Sequence, residues 1–204
     1  MFRIKVCGIT SVEDALAAVE AGADALGLNF FDRSPRFVTP ERARDIAGSL
    51  PTEIVKVGLF VDTPADKICR LCDLLGLDLI QLHGDQPPEF VARLGNRPVM
   101  RAFRVGPEGL QPVRDYLSHC RRLGVVLELV LLDTLVAGAY GGTGKVADWS
   151  VARQYVACPD AIPLVLAGGL TPENVIEAIA SVDPAAVDVA SGVESAPGKK
   201  CPLR

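Results

Sequence analysis

Three side chains able to move a proton stand at the ends of short apolar runs. Cys7 closes "RIKVC" directly before Gly8, Asp133 closes "LELVLLD", and His83 follows "LDLIQL". A carboxyl at a partly desolvated strand end has a raised pKa and serves as a general acid; the alternative is an aspartate that caps a turn. A thiol becomes a base when its thiolate is supported, here by the start of a following helix, and is otherwise a small buried hydrophobe. His83 suits a structural hydrogen bond as well as a contact to a ligand. Arg36, in the loop segment "RSPRF", has the planar fork that recognises a carboxylate. His119, in "YLSHCRRLG", is expected on an exposed helix face and carries no role.

Glycines add an anion site. Gly168 and Gly169 in "VLAGGLTPEN" and Ser191 and Gly192 in "DVASGVES" follow two apolar runs, and free backbone N–H groups in such loops cradle phosphate. Two tight turns would look the same. The cluster "GAYGGTGK" at 138–145 fails as a nucleotide loop, because Ala139 stands where the first glycine is required and Val146 where Ser or Thr must follow the lysine. With Gly142 and Gly144 it is expected to form a lid over a substrate, or a plain surface loop.

These groups are far apart in the chain, so the elements that carry them must bring them together. Eight β-rich runs (3–7, 25–30, 54–60, 77–82, 98–103, 127–133, 163–168 and 186–191) alternate with amphipathic segments. Four of those segments carry start signals: Ser11 in one, and Thr-Pro at 39–40, 63–64 and 171–172 in the others. Strand-helix units at a pitch of roughly 25 residues call for parallel strands and right-handed crossovers, which predicts an α/β fold, a (β/α)8 TIM barrel spanning 1–204 as one domain. An open doubly wound sheet is the alternative. In the barrel, catalytic groups collect at the C-terminal ends of the strands, where Cys7, His83, Asp133, Gly168, Gly169, Ser191 and Gly192 fall.

The 204 residues, 49% hydrophobic and 23% charged with a net charge of −4, carry no basic surplus for nucleic acid or an anionic membrane. No run approaches a membrane span or a signal peptide, and a cytoplasmic protein is expected. The six cysteines lack the dense spacing of a disulfide scaffold. Cys69 and Cys72 lie well inside a helical segment, which predicts packing on one apolar face; no metal site is expected.

The ordered set "KVCGIT", "GLNFFDRSPRFV", "VGLFVD", "IQLHGDQ", "LLLDT", "GGTGK", "LAGGLTPENV" and "DVASGVESAPGKK" closely resembles the phosphoribosylanthranilate isomerase family of tryptophan biosynthesis, from residue 3 to about residue 200. The resemblance implies a cofactor-free Amadori rearrangement of N-(5-phosphoribosyl)anthranilate to 1-(o-carboxyphenylamino)-1-deoxyribulose 5-phosphate. It implies Asp133 as general acid at the ribose ring oxygen and Cys7 as general base at the second sugar carbon. Arg36 matches the arginine expected at the anthranilate carboxylate, and Gly168, Gly169, Ser191 and Gly192 the phosphate cradle. His83, Asp188, Gly142 and Gly144 are implied as further substrate contacts. After "PGKK" the chain gives only "CPLR", so a full eighth helix is expected to be missing; either self-association, as a homodimer, covers the gap, or the chain is a shortened form of a longer parent. The competing expectations are a paralogous sugar-phosphate isomerase, which would use two aspartates, and a non-catalytic small-molecule binder.

Overall fold

A strand with apolar side chains on both faces must be covered on both, and eight such strands achieve this by closing on themselves. The computed structural model describes residues 1–133 and 149–202. Its strands β1 (Ile4–Cys7), β2 (Ala25–Asn29), β3 (Val55–Phe60), β4 (Leu79–Leu82), β5 (Val99–Arg104), β6 (Leu129–Asp133), β7 (Leu164–Ala167) and β8 (Ala186–Val189) pair in parallel, each with its successor. β8 returns to β1 through Ile4↔Val187, Lys5↔Asp188 and Val6↔Val189, so the sheet is a closed barrel, and the open doubly wound alternative is excluded.

Two cores result. One fills the barrel from within, with Phe2, Ala25, Val57, Leu79, Met100, Leu129 and Val165 among its members. The other lies between the barrel and helices α1 (Val12–Glu20), α2 (Pro40–Ser49), α3 (Ala65–Leu75), α4 (Pro88–Ala92), α5 (Gln111–Leu123), α6 (Ser150–Val156) and α7 (Val175–Val182). The apolar floor inside the barrel leaves its upper layer to polar groups, which is where the strands end.

Ser11 accepts the N–H of Asp14 and Thr39 that of Arg42, so α1 and α2 start at the expected caps, with Pro40 opening α2. The other two Thr-Pro signals do not cap. The hydroxyl of Thr63 donates to Val61 O at 3.2 Å and is spent in its own turn, so α3 follows Pro64 without a side-chain cap. Thr171 opens a separate turn, with its N–H held by Asn174 Oδ1 at 2.8 Å, and α7 begins only at Val175. Cys72 is buried and Cys69 half-buried on α3, as packing on one face requires, and burial pushes the Cys72 thiol up to about 11.

Beyond β8 the described chain has no eighth α-helix. It makes a 3₁₀ turn, Ser191–Val193, and then a short antiparallel hairpin of β9 (Glu194–Ala196) and β10 (Lys199–Lys200). This hairpin lies against the start of α1: Lys200 N–H donates to Asp14 Oδ2 at 3.1 Å, and Thr10 Oγ1 to Gly198 O at 2.5 Å. The outer face of β1 is left partly bare, with Ile4 44% exposed where its outward neighbours Val6 and Val187 keep 8% and 6%. No described helix is long and apolar enough to cross a membrane.

Candidate active site at the barrel mouth

Successive side chains of a strand point to opposite faces, so in β1 Ile4 and Val6 face outward while Lys5 and Cys7 face inward. Lys5 is completely buried, and its Nζ lies 2.9 Å from Oδ1 of Asp188, its register partner on β8. Gly27 of β2 sits opposite Cys7, and a Cβ there would come within 2.7 Å of Cys7 Sγ and 3.1 Å of Lys5 Nζ. Only a residue without a side chain leaves room for both. Burial works to strip the Lys5 proton, but Asp188 and Cys7 outweigh it and hold the ammonium above the usual lysine range. Burial pushes the Cys7 thiol up, and Lys5 pulls in the opposite direction.

Asp133 ends β6 half-buried, and its charge reaches both His83 and Asp188. Asp133, His83, Asp188, Lys5 and Cys7 therefore form one electrostatic cluster from strands β6, β4, β8 and β1. His83 follows β4, with Nδ1 3.3 Å from Gln81 Nε2. Burial drives its imidazole down to about 4 against the pull of Asp133, so His83 is neutral at neutral pH and offers a hydrogen bond without a charge.

The loop after β2 is tied by Ser34, whose Oγ accepts from Asn29 Nδ2 and from the Arg36 N–H, both at 3.1 Å. It brings Arg36 to the rim. The Arg36 stem lies on Gly8, where a Cβ would come within 2.4 Å of Cδ. Gly198 of the terminal hairpin closes the other side, 2.9 Å from Pro35 O by the same measure. The guanidinium is engaged inside the protein: Nε and Nη2 donate to the two oxygens of Glu194 at 2.8 and 2.5 Å. That side-on pairing leaves the end-on edge for another carboxylate. Lys200 Nζ donates to the same Glu194 at 2.9 Å, and to the carbonyls of Cys7 at 2.6 Å and Ala190 at 3.3 Å.

Gly168 and Gly169 follow β7 with φ of +95° and +66°, backbone that disfavours a side chain. Asn174 Nδ2 donates to Gly169 O at 3.0 Å and fixes this loop. Gly192, after β8, lies so close to it that a Cβ would stand 1.9 Å from Leu170 O. The two loops thus meet, with Ser191 exposed beside them. Gly142 and Gly144 fall outside the described residues.

The structure brings Cys7, Asp133, His83, Arg36, Asp188 and the four loop residues Gly168, Gly169, Ser191 and Gly192 to one end of the barrel. Four neighbours of these residues were not singled out from the sequence: Lys5, Gly27, Glu194 and Lys200. Only Lys5 carries a local signal, two residues before Cys7 and hence on its face. A carboxyl and a thiol at the ends of two strands of one mouth, beside an arginine and two glycine-bearing loops, are groups that could exchange protons with a substrate bound there.

Residues 4–202 match the family model described as N-(5'phosphoribosyl)anthranilate (PRA) isomerase. A curated relative from Geobacter sulfurreducens, an N-(5'-phosphoribosyl)anthranilate isomerase, is 51% identical over 201 residues, 98% of this chain and 93% of that protein. The crystal structure of phosphoribosyl anthranilate isomerase from Thermotoga maritima superposes with a TM-score of 0.84 at 42% identity, over 100% of this chain and 94% of that one. A second solved isomerase, in complex with reduced 1-(o-carboxyphenylamino)-1-deoxyribulose 5-phosphate, gives a TM-score of 0.81 at 40% identity, again over 100% and 94%.

Proposed function

The chain belongs to the N-(5'-phosphoribosyl)anthranilate isomerase family, an isomerase of tryptophan biosynthesis, and from that membership we propose that Asp133 and Cys7 divide its chemistry as general acid and general base. Asp133 gives a proton to the ribose ring oxygen, the ring bond breaks, and an open-chain Schiff base forms. Cys7 then takes the proton from the second sugar carbon; the freed electron pair makes an enolamine, which tautomerises to the ketone. The observation that carries this reading is the position of the two groups, at the C-terminal ends of β6 and β1, above one polar cluster in one mouth.

The rest of the mouth supports the same substrate. The joined loops of Gly168, Gly169, Ser191 and Gly192 take the phosphate through backbone donors, and the end-on edge of Arg36 takes the anthranilate carboxylate. His83 and Asp188 line the space between. Reduced 1-(o-carboxyphenylamino)-1-deoxyribulose 5-phosphate, bound by the solved relative, carries both anionic groups. A two-aspartate isomerase is disfavoured by the thiol of Cys7 at the end of β1.

Turnover of the fluorescent anthranilate substrate tests the assignment. Cys7→Ser and Asp133→Asn should each lower kcat by at least about 100-fold while KM stays nearly constant, since acid and base act in the transition state. A variant with near-parental kcat would remove that residue from its role.

A further inference from the structure

A general base has to be available in its basic form, and Cys7 sits where burial favours the neutral thiol. The group that opposes this most strongly is Lys5, with Lys200 acting in the same sense more weakly. A lysine with no exposed surface needs anionic or accepting partners on every open side, because an unpaired buried ammonium is costly. Asp188 occupies one side at 2.9 Å. Cys7, two residues on and on the same strand face, occupies another, and Gly27 keeps the space between sulfur and nitrogen free of a side chain. Lys200 pulls Cys7 in the same direction but more weakly, its ammonium being engaged by the Cys7 and Ala190 carbonyls and by Glu194.

We propose that Lys5 is a positioning residue for the isomerisation: anchored on Asp188, its ammonium stands beside the Cys7 sulfur and stabilises the thiolate form that abstracts the proton. This rests on the general-base reading of Cys7. At the abstraction step the bond from the second sugar carbon to hydrogen breaks and the proton goes to Sγ. The electron pair passes into the enolamine, with the Schiff-base nitrogen as its sink, and Lys5 keeps its proton throughout. A lysine that served only as counter-ion to Asp188 would leave the ionisation of Cys7 unchanged when Lys5 and Asp188 are neutralised together, which makes the double variant the deciding one.

The test is the pH dependence of Cys7 alkylation by iodoacetamide in the unliganded full chain, followed on the Cys7 peptide by mass spectrometry, beside steady-state kinetics. Lys5→Met should raise the alkylation midpoint by about one pH unit or more, and cut kcat about tenfold at neutral pH in step with the thiolate fraction, with KM little changed. Lys5→Arg, which keeps the charge, should return the midpoint toward the parent. Asp188→Asn should lower it, since the Asp188 charge works against the thiolate. If Lys5→Met does not fold because it orphans Asp188, the double variant Lys5→Met/Asp188→Asn leaves no unpaired carboxylate and should still titrate above the parent, because Lys5 acts on Cys7 more strongly than Asp188 does. A folded Lys5→Met or double variant with an unmoved or lowered midpoint, or a raised midpoint with unchanged kcat, overturns the proposal. Failure of the underlying base assignment shows separately, as an active Cys7→Ser.

Discussion

Glu194 holds Arg36 and Lys200 at once, and removing its charge should both destabilise the chain and loosen the rim of the site. Its carboxylate is 4% exposed, with Lys200 at 6% and Arg36 at 23%. Taking one partner from a buried ion pair costs about 3–5 kcal/mol, mainly through the charge left behind. Arg36 can turn to water, so Glu194→Gln belongs at the lower end, about 3 kcal/mol. For a chain of this size each kcal/mol moves Tm by about 2–4 °C, giving a fall of about 6–12 °C in calorimetry at neutral pH. The variant should also raise KM, because Arg36 loses its brace. The pH dependence has a definite sign. Burial raises the Glu194 pKa, but hydrogen bonds from Arg36 and Lys200 outweigh it and hold the carboxyl below the ordinary glutamate range. Its stabilisation is therefore complete above the unfolded value of about 4.3, and disappears as pH falls through the lower folded value. The gap between the melting curves of parent and variant should narrow as pH falls through that lower folded value. A loss below about 1 kcal/mol at neutral pH, or curves that stay parallel into acid, would refute the reasoning.

Gly192→Ala must push the β7 and β8 loops apart. It should weaken competitive inhibition by inorganic phosphate and raise KM about tenfold or more, the worth of one hydrogen bond to a charged group, ~1.5–3 kcal/mol; unchanged phosphate inhibition would move the cradle elsewhere. His83 titrates at about 4 when folded against 6.5 ordinarily, so the unfolded chain takes up a proton that the folded one does not, and stability falls between pH 6.5 and 4. His83→Asn should flatten that slope in melting experiments, and an unaltered slope would contradict a neutral His83. Exposed Ile4 of β1, Leu16 of α1 and Ile176 and Ile179 of α7 leave apolar surface around the β8–β1 side. Light scattering at micromolar concentration should show a dimer that Leu16→Glu with Ile179→Glu converts to monomer; a monomeric parent would defeat this expectation.

The barrel was legible because strand length and helix spacing are local properties. Each of the eight apolar runs forms a strand within two residues of the expected bounds, and Ser11 and Thr39 cap where a hydroxyl precedes a helix start. Thr63 and Thr171 show the limit of that signal, since the same Thr-Pro pair can spend its hydrogen bonds on a preceding turn. Cys7, Asp133, His83 and the paired glycines were legible for a topological reason: in a parallel barrel the end of every strand is one place. The engagement of Arg36 by Glu194 was not. Those residues are 158 positions apart, as Lys200 and Cys7 are 193 apart, and no local period encodes a contact between the two ends of a chain that a closed ring makes neighbours.

Lys5 was missed for a different reason, one of parity. In "RIKVC" the alternation places Ile4 and Val6 on one face and Lys5 and Cys7 on the other, and a half-buried sheet would turn the isoleucine and valine inward and the lysine to water. A barrel wrapped in helices reverses the assignment: the apolar face looks out at the helices, and the polar face looks into the upper interior. The same reversal applies to Gln81 between Ile80 and Leu82, and to Asp188 between Val187 and Val189, both buried polar residues flanked by outward apolar ones. Once the strands are known to close, a polar residue inside an apolar run stops being a solvent contact. It becomes a candidate lining of the mouth, and Lys5 and Asp188, adjacent in register across the β1–β8 closure, are then required to pair because Lys5 is fully buried and Asp188 nearly so.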